Sequence, residues 1–416
     1  MKRNLILSVF DQAVVSAFNF ALNLFLIKLW SPEHFGFFAV IAATAISANM
    51  IQNAVINTPL AVHLPIINLA SERAVLVKVF SAANMLLTLV VLLLSLTFLM
   101  LWLGVGQLPL VLGASLYMGT QFLREYYRAL LAVDGKLGAL LLADLAYVML
   151  AVGSLAYVFW LGDASKQSVA LVLLLLSAAG MSSVVWCLVP RKWPDLRALP
   201  SEMVDVFKKQ MHEIRWSLLG VITTDIQNRG YIFVAAAFFG SATVGHLQAG
   251  RIFFGPLNLL TSSWARVARP QLAKLLGQGE AQRFDTTLKR AMWAFAGFNV
   301  LFLAGLWLAW PYLSALVFGA KYKGLGYMIA AWGVANMAFQ IRSCLSIGVQ
   351  AMRRFRDLTL ATIWGALLSV VLVALACGVQ QPMVLIAAVI GGECVAILIV
   401  LKILRRHANA DTKTVT

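Results

Sequence analysis

Charged residues lodged inside apolar runs too long for a soluble core constrain this chain more than any other feature. The stretch Gln121 to Tyr147 reads QFLREYYRALLAVDGKLGALLLADLAY. It starts inside one such run with Arg124, Glu125 and Arg128 aboard, turns at Asp134-Gly135-Lys136, and enters a second run that carries Asp144. A charge at bilayer depth costs about 2.5 to 3.5 kcal/mol on insertion scales, so it faces a partner or a water-filled space. A similar stretch lies 218 residues on, from Phe339 to Gly365, where Arg342 falls at the place of Arg124 and Arg354 at that of Lys136. A basic residue embedded in corresponding helices of two halves implies a two-lobed membrane protein with a cationic interior.

Composition agrees. Only 12% of the 416 residues are charged and 61% are hydrophobic, against about 25% charged in soluble domains. The net charge of +16 would favour nucleic acid in a soluble protein. Here most of the basic residues sit in short loops between apolar runs, where they set topology, and no nucleic-acid partner is expected. Cys187, Cys344, Cys377 and Cys394 lie in apolar segments without metal-ligand spacing and are expected as buried small hydrophobes. Met1-Lys2-Arg3 opens a run that Asp11-Gln12 interrupts, with no small-residue cleavage site after it, which predicts a retained first helix.

A span needs about 20 apolar residues, which predicts twelve: 6–28, 36–58, 77–103, 108–131, 138–161 and 168–188, then 216–238, 244–268, 287–309, 325–350, 357–378 and 383–404. The expected fold is an all-α polytopic membrane protein of twelve transmembrane helices in two six-helix bundles. Residues 1–188 form the first bundle, 189–215 a basic cytosolic linker, 216–404 the second bundle and 405–416 a cytosolic tail. With the N-terminus in the cytosol, the inner segments hold 19 Lys and Arg and the outer segments three, which places both termini inside. Glu202 to Arg215 reads equally as an amphipathic surface helix facing anionic headgroups or as a solvated linker. Phe35-Gly36 matches Val244-Gly245, and Thr58-Pro59 matches Arg269-Pro270, at offsets of 209 and 211. A duplicated unit with an even number of spans predicts parallel repeats related by an axis along the membrane normal.

The embedded charges are Asp11, Arg124, Glu125, Arg128, Asp144, Asp225, Arg229, Arg251, Arg342 and Glu393. The topology puts Arg229 and Arg251 in the outer half of the membrane and Arg124 and Arg342 in the inner half. Arginine keeps its charge and grips phosphate oxygens in a fork, so the four fit an anion crossing the membrane. The bland alternative stays open: Asp225 and Arg229 pair at i,i+4, Arg124 and Arg128 snorkel, and Glu125, Asp144 and Glu393 neutralise arginines. Amides on the first and second spans of each half, Asn19, Asn228 and Gln248 among them, suit either a polar cavity or helix-packing contacts. Asp225 and Glu393 are the candidates for proton or cation coupling. Spans three, six, nine and eleven are nearly wholly apolar and are expected to face lipid. The chain has no G-x-x-x-x-G-K-[ST] loop, no H-E-x-x-H pair and no legible Ser-His-Asp set, so binding rather than catalysis is expected, without metal or cofactor.

The chain resembles the polysaccharide-exporter branch of the multidrug/oligosaccharidyl-lipid/polysaccharide flippase superfamily, the Wzx-type O-antigen and exopolysaccharide flippases. The resemblance rests on Ser8-Val9-Phe10-Asp11-Gln12, on Leu29-Trp30-Ser31-Pro32-Glu33-His34-Phe35-Gly36-Phe37-Phe38, and on Arg124-Glu125-Tyr126-Tyr127-Arg128-Ala129-Leu130-Leu131-Ala132 followed by Asp144. It covers essentially the whole chain. It implies a MATE-like pair of bundles, alternating access and an undecaprenyl-diphosphate-linked oligosaccharide as substrate. It also implies a multi-pass place in the bacterial inner membrane, among membrane lipids and other polysaccharide-assembly membrane proteins. On that reading Arg124, Arg229, Arg251 and Arg342 hold the diphosphate and the amides meet sugar hydroxyls. The alternatives are a cation-coupled drug or small-anion antiporter and, in another class, a membrane glycosyl- or acyltransferase.

Overall fold

The computed structural model describes residues 2–64, 67, 69–162, 165–189, 200–322, 324–352 and 354–413. Among them the chain is all helix. In order these are α1 (Lys2–Leu29), α2 (Pro32–Gln52), α3 (Thr58–His63), α4 (Ala70–Leu103), α5 (Leu108–Val133), α6 (Leu137–Leu161), α7 (Lys166–Leu188), α8 (Pro200–Phe239), α9 (Ser241–Arg251), α10 (Gly255–Gly277), α11 (Ala281–Leu313), α12 (Leu325–Ala351), α13 (Phe355–Val379) and α14 (Met383–Lys413). A π turn joins α2 to α3 and a 3-10 turn joins α9 to α10. Fourteen helices thus make twelve continuous rods, the number of spans read from the sequence. The chain is a polytopic all-α membrane protein.

Eight of the rods are long and apolar enough by themselves to cross a bilayer. The four that fall short are α5, α8, α9–α10 and α12. Each of them carries one of Arg124, Arg229, Arg251 and Arg342.

Local chemistry explains the breaks. Ser31 caps α2, its Oγ accepting from the His34 N–H at 3.3 Å, and Pro32 fills the first turn where no N–H is needed. The π turn Asn53–Asn57 ends where the Thr58 N–H meets the Asn53 carbonyl, directly before Pro59, which has no N–H to continue the ladder. In the second half the break is earlier: Ile252–Phe254 turns as 3-10 just before Gly255-Pro256, while Pro270 lies inside α10. The two halves therefore share a broken second rod but not the position of the break.

The chain forms two compact units, Met1–Leu22 with Leu29–Ile222, and Asn23–Lys28 with Thr223–Thr416. The core of unit 1 gathers Ile56, Leu60, Phe80, Tyr126, Leu130 and Val184. That of unit 2 gathers Leu272, Phe284, Leu288, Leu345, Val349 and Val400.

Three expectations need correction. The segment 200–215 is helical, as one of its two readings has it, but it is not a helix of its own. It is the first part of the 40-residue α8, about 60 Å long at 1.5 Å per residue. Lys78 on α4 pairs with Glu202 at 2.8 Å and Phe80 meets Phe207 edge-on, so this part belongs to unit 1. Arg191, Lys192 and Arg197 of the expected linker lie outside the described residues. Second, α7 does not simply face lipid: 56% of its apolar window is buried, against 11% for α4 and 6% for α11. Small residues let it approach α5 closely, since a Cβ at Gly113 would come within 2.9 Å of the Ala170 carbonyl oxygen. Third, of the four free cysteines only Cys187 and Cys344 are buried, and Cys394 is exposed.

Candidate functional site

Unit 1 holds one tight charge cluster. Arg124 Nη2 donates to Asp144 Oδ1 at 2.5 Å, and Arg128 Nε donates to Asp144 Oδ2 at 2.8 Å. Arg128 also donates to Glu125 at 2.9 Å and to Asp11 Oδ2 at 3.5 Å. Arg124 is further fixed by Ser183 Oγ at 3.3 Å, by Gln121 Oε1 at 3.4 Å and by the Tyr147 ring, 3.9 Å below its guanidinium. Two guanidinium groups thus meet three carboxylates. The Asp144 side chain is wholly buried and that of Arg124 nearly so, which leaves little of this guanidinium accessible. Asp11 Oδ1 is buried with no hydrogen-bond partner in the structure.

Unit 2 has the opposite balance, three guanidinium groups to two carboxylates. Arg342 Nε donates to Glu393 Oε2, and Gln227 Nε2 donates to Glu393 Oε1 at 3.1 Å. Glu393 is fully buried. The pair repeats the geometry of unit 1 in part: both arginines reach with Nε to the last helix of their unit's span set, Ser183 on α7 and Glu393 on α14. Arg229 Nη1 donates to Asp225 Oδ1 at 2.5 Å along α8.

Arg251 alone among these arginines has no carboxylate partner within the described residues. Its Nη1 donates to the Asn228 carbonyl at 2.9 Å and to the Tyr231 hydroxyl at 3.0 Å. Its guanidinium lies 5.2 Å from the Trp332 ring centre and 5.8 Å from that of Tyr231. Gln248 Nε2 donates to the same Tyr231 oxygen at 2.7 Å. That oxygen thus receives two hydrogen bonds, which leaves its own proton to give. Arg229 directly follows Asn228, whose carbonyl Arg251 meets, so a second cation is borne on the same turn of α8. A partly buried cation among donors, with a second cation near, is matched to an anion rich in acceptor oxygens.

Of the residues singled out from sequence, Arg251, Gln248 and Asn228 come together, Asn228 through its carbonyl, and Arg229 stands close by with Asp225. Arg342 and Glu393 form a separate buried pair in unit 2. Arg124 lies in unit 1. Asn19 sits exposed on α1 and is itself engaged in an interaction. Tyr231 and Trp332 were not singled out, because an aromatic residue in an apolar run reads as packing. The one legible signal was Tyr231 standing three residues after Asn228. Among the described residues no group of three His, Cys, Asp or Glu could hold a metal ion.

No protein-family model matches the chain, and no curated protein sequence does. Solved structures do match its fold. A multidrug resistance MATE family transporter of the MOP superfamily, in an inward-facing conformation, superposes with a TM-score of 0.68 over 97% of this chain and 96% of its own, at 15% identity. The chain has the fold of MOP superfamily transporters. The lipid II flippase MurJ, in an inward closed conformation, gives a TM-score of 0.72 at 15% identity, over 97% of this chain and 88% of its own. A MOP superfamily transporter from Pyrococcus furiosus, described as having a binding pocket of reversed polarity, gives 0.58 at 16% identity over 98% and 95%.

Proposed function

We propose that this protein is a flippase that moves an undecaprenyl-diphosphate-linked oligosaccharide across the bacterial inner membrane by alternating access, with both termini in the cytosol. The observation that carries the reading is Arg251, a partly buried guanidinium that no carboxylate among the described residues neutralises and that has N–H groups still to give. A diphosphate supplies the charge and the acceptor oxygens that Arg251, Arg229, Tyr231 and Gln248 would meet. Asn19 and Asn228 are placed in the role of meeting sugar hydroxyls. The lipid-linked glycan itself is supported by the resemblance at Ser8 to Gln12 and Arg124 to Asp144, and by a fold that a lipid II flippase also has. Its place would then be O-antigen or exopolysaccharide assembly, beside other membrane proteins of that process.

A second reading, a cation-coupled drug antiporter, draws on one observation: the surplus carboxylate of unit 1, with Asp11 Oδ1 buried and unpartnered. Binding of the lipid-diphosphate glycan to the purified full chain separates the two. Losing a charge-assisted hydrogen bond costs about 1.5 to 3 kcal/mol, so Arg251→Ala should weaken binding about ten- to hundredfold. Arg251→Lys should recover part of it, because the ammonium keeps the charge and loses the fork. Asp11→Asn should leave it unchanged. Undiminished glycan binding by Arg251→Ala, with binding of a cationic drug abolished by Asp11→Asn, would establish the antiporter instead.

A further inference from the structure

Unit 2 contains a line of buried polar atoms that its own protein groups do not satisfy. Trp332 Nε1, Asn336 Nδ2 and Gln340 Nε2 on α12 each lie buried without a hydrogen-bond partner, and so does Asn258 Oδ1 on α10. The three residues of α12 are at most 8% exposed. Steps of four residues drift by about 40° on a helix, so the three lie within about 80° of arc and span about 12 Å along the axis.

Asn258 lies on the neighbouring rod at the height of this line. A Cβ at Gly250 would touch Trp332 and Met328, and further on Ala268 and Leu272 pack in one cluster with Leu345 and Val349. The rod α9–α10 therefore runs beside α12 in the same direction, which brings Asn258 level with Asn336. Gln340 Oε1 is met by Asn299 Nδ2 of α11 at 3.3 Å, so the line is bounded by α10, α11 and α12. Its upper end is the Trp332 ring, 5.2 Å from the Arg251 guanidinium.

The fold does not require this polarity. Arg124 and Arg342 set the correspondence between α5 and α12. The turns that follow agree, since Lys136 (φ −84°, ψ 50°) and Arg354 (φ −89°, ψ 53°) begin the next helix in the same conformation. At that offset the three positions of α12 fall on Ala114, Met118 and Phe122 of α5, all buried and apolar. At these positions α5 places hydrocarbon, and the Gln52 amide of the second rod reaches the Phe122 carbonyl at 2.6 Å instead, whereas α12 itself leaves three polar atoms there and Asn258 of α10 adds a fourth. An unsatisfied buried polar group costs about 1 to 3 kcal/mol, and polar sites of this kind are where ordered water resides.

We infer that Trp332, Asn336, Gln340 and Asn258 line a file of ordered water inside unit 2 that leads to Arg251. The water satisfies the four atoms and keeps the guanidinium hydrated from within the unit, whatever the transported molecule is.

Thiol accessibility in native membranes tests this without any substrate. In full-length protein with its four native cysteines replaced by serine, Asn336→Cys and Gln340→Cys are exposed to a small water-soluble methanethiosulfonate. Met118→Cys, at the corresponding place in unit 1, is the dry control. The thiolate is the reacting species and is disfavoured in apolar surroundings, so both unit 2 positions should react at least about tenfold faster than the control. Rates no faster than that of Met118→Cys would overturn the inference. Should the thiol variants fail to accumulate, Asn336→Leu decides. Its melting temperature falls if it displaces water that Asn258 and Trp332 need, and rises if the track is dry.

Discussion

A guanidinium in a membrane-depth helix is a liability until something pairs with it, and the four arginines differ in what does. Arg124 and Arg342 are held by buried carboxylates, Arg229 by Asp225 along its own helix, and Arg251 by a carbonyl, a hydroxyl and two ring faces. Removing one member of a buried pair leaves the other charge uncompensated, at about 3 to 5 kcal/mol. Arg342→Leu should therefore lower the melting temperature and the accumulated amount sharply, because Glu393 is stranded with only Gln227 to bond it. Adding Glu393→Leu should restore most of the loss, since both charges are then gone. Arg251→Leu strands no carboxylate and should melt close to wild type. A single Arg342→Leu variant as stable as wild type would show the pair to be dispensable. The sequence exposed these residues readily, because a charge in an apolar run is conspicuous. It could pair only Asp225 with Arg229, four residues apart. Arg124 and Asp144 are 20 apart and Arg342 and Glu393 are 51 apart, and nothing in one sequence joins them.

At the scale of the element, apolarity located the rods and did not say what each rod faces. Spans three and six are equally hydrophobic to the eye, yet α4 is mostly uncovered and α7 mostly covered. Small residues make the difference, since they decide how near two axes come. The same device packs α13 on α14. A Cβ at Gly365 would stand 2.7 Å from the Gly392 carbonyl oxygen, which is backbone and cannot rotate away. Overpacking costs about 1 to 3 kcal/mol, so Gly365→Ala should lower the melting temperature of the purified protein. Gly305→Ala on α11, where a Cβ meets nothing within 4 Å, should leave it unchanged or raise it by up to about 1 kcal/mol of stability. Equal effects at the two glycines would contradict the close packing. The length of α8 was hidden for a related reason. Its first 16 residues are charged and polar enough to read as linker as readily as helix, and Val206 and Phe207 pack them as helix on the unit 1 core.

For the whole molecule, the twelve rods follow from span counting and the substrate does not, and the two compact units part elsewhere than the expected bundles, unit 1 running on to Ile222 and unit 2 taking in Asn23–Lys28. Positive loops predict sidedness: Ser165→Cys should react with an impermeant thiol reagent added from outside the cell, and Arg283→Cys should not. The reverse pattern would invert the topology and with it the assigned depth of every arginine. The central claim is that a cation without a carboxylate partner draws a lipid-linked diphosphate through this fold. Its most direct test is flipping in proteoliposomes that contain the purified full chain and an undecaprenyl-diphosphate-linked oligosaccharide, with glycan reaching the far leaflet measured over time. The wild-type protein should move it. Arg251→Ala, inserted in equal amount, should move it about ten- to hundredfold more slowly, as the loss of one charge-assisted contact requires. Equal rates for the two, or no movement by the wild-type protein above empty vesicles, would contradict the account.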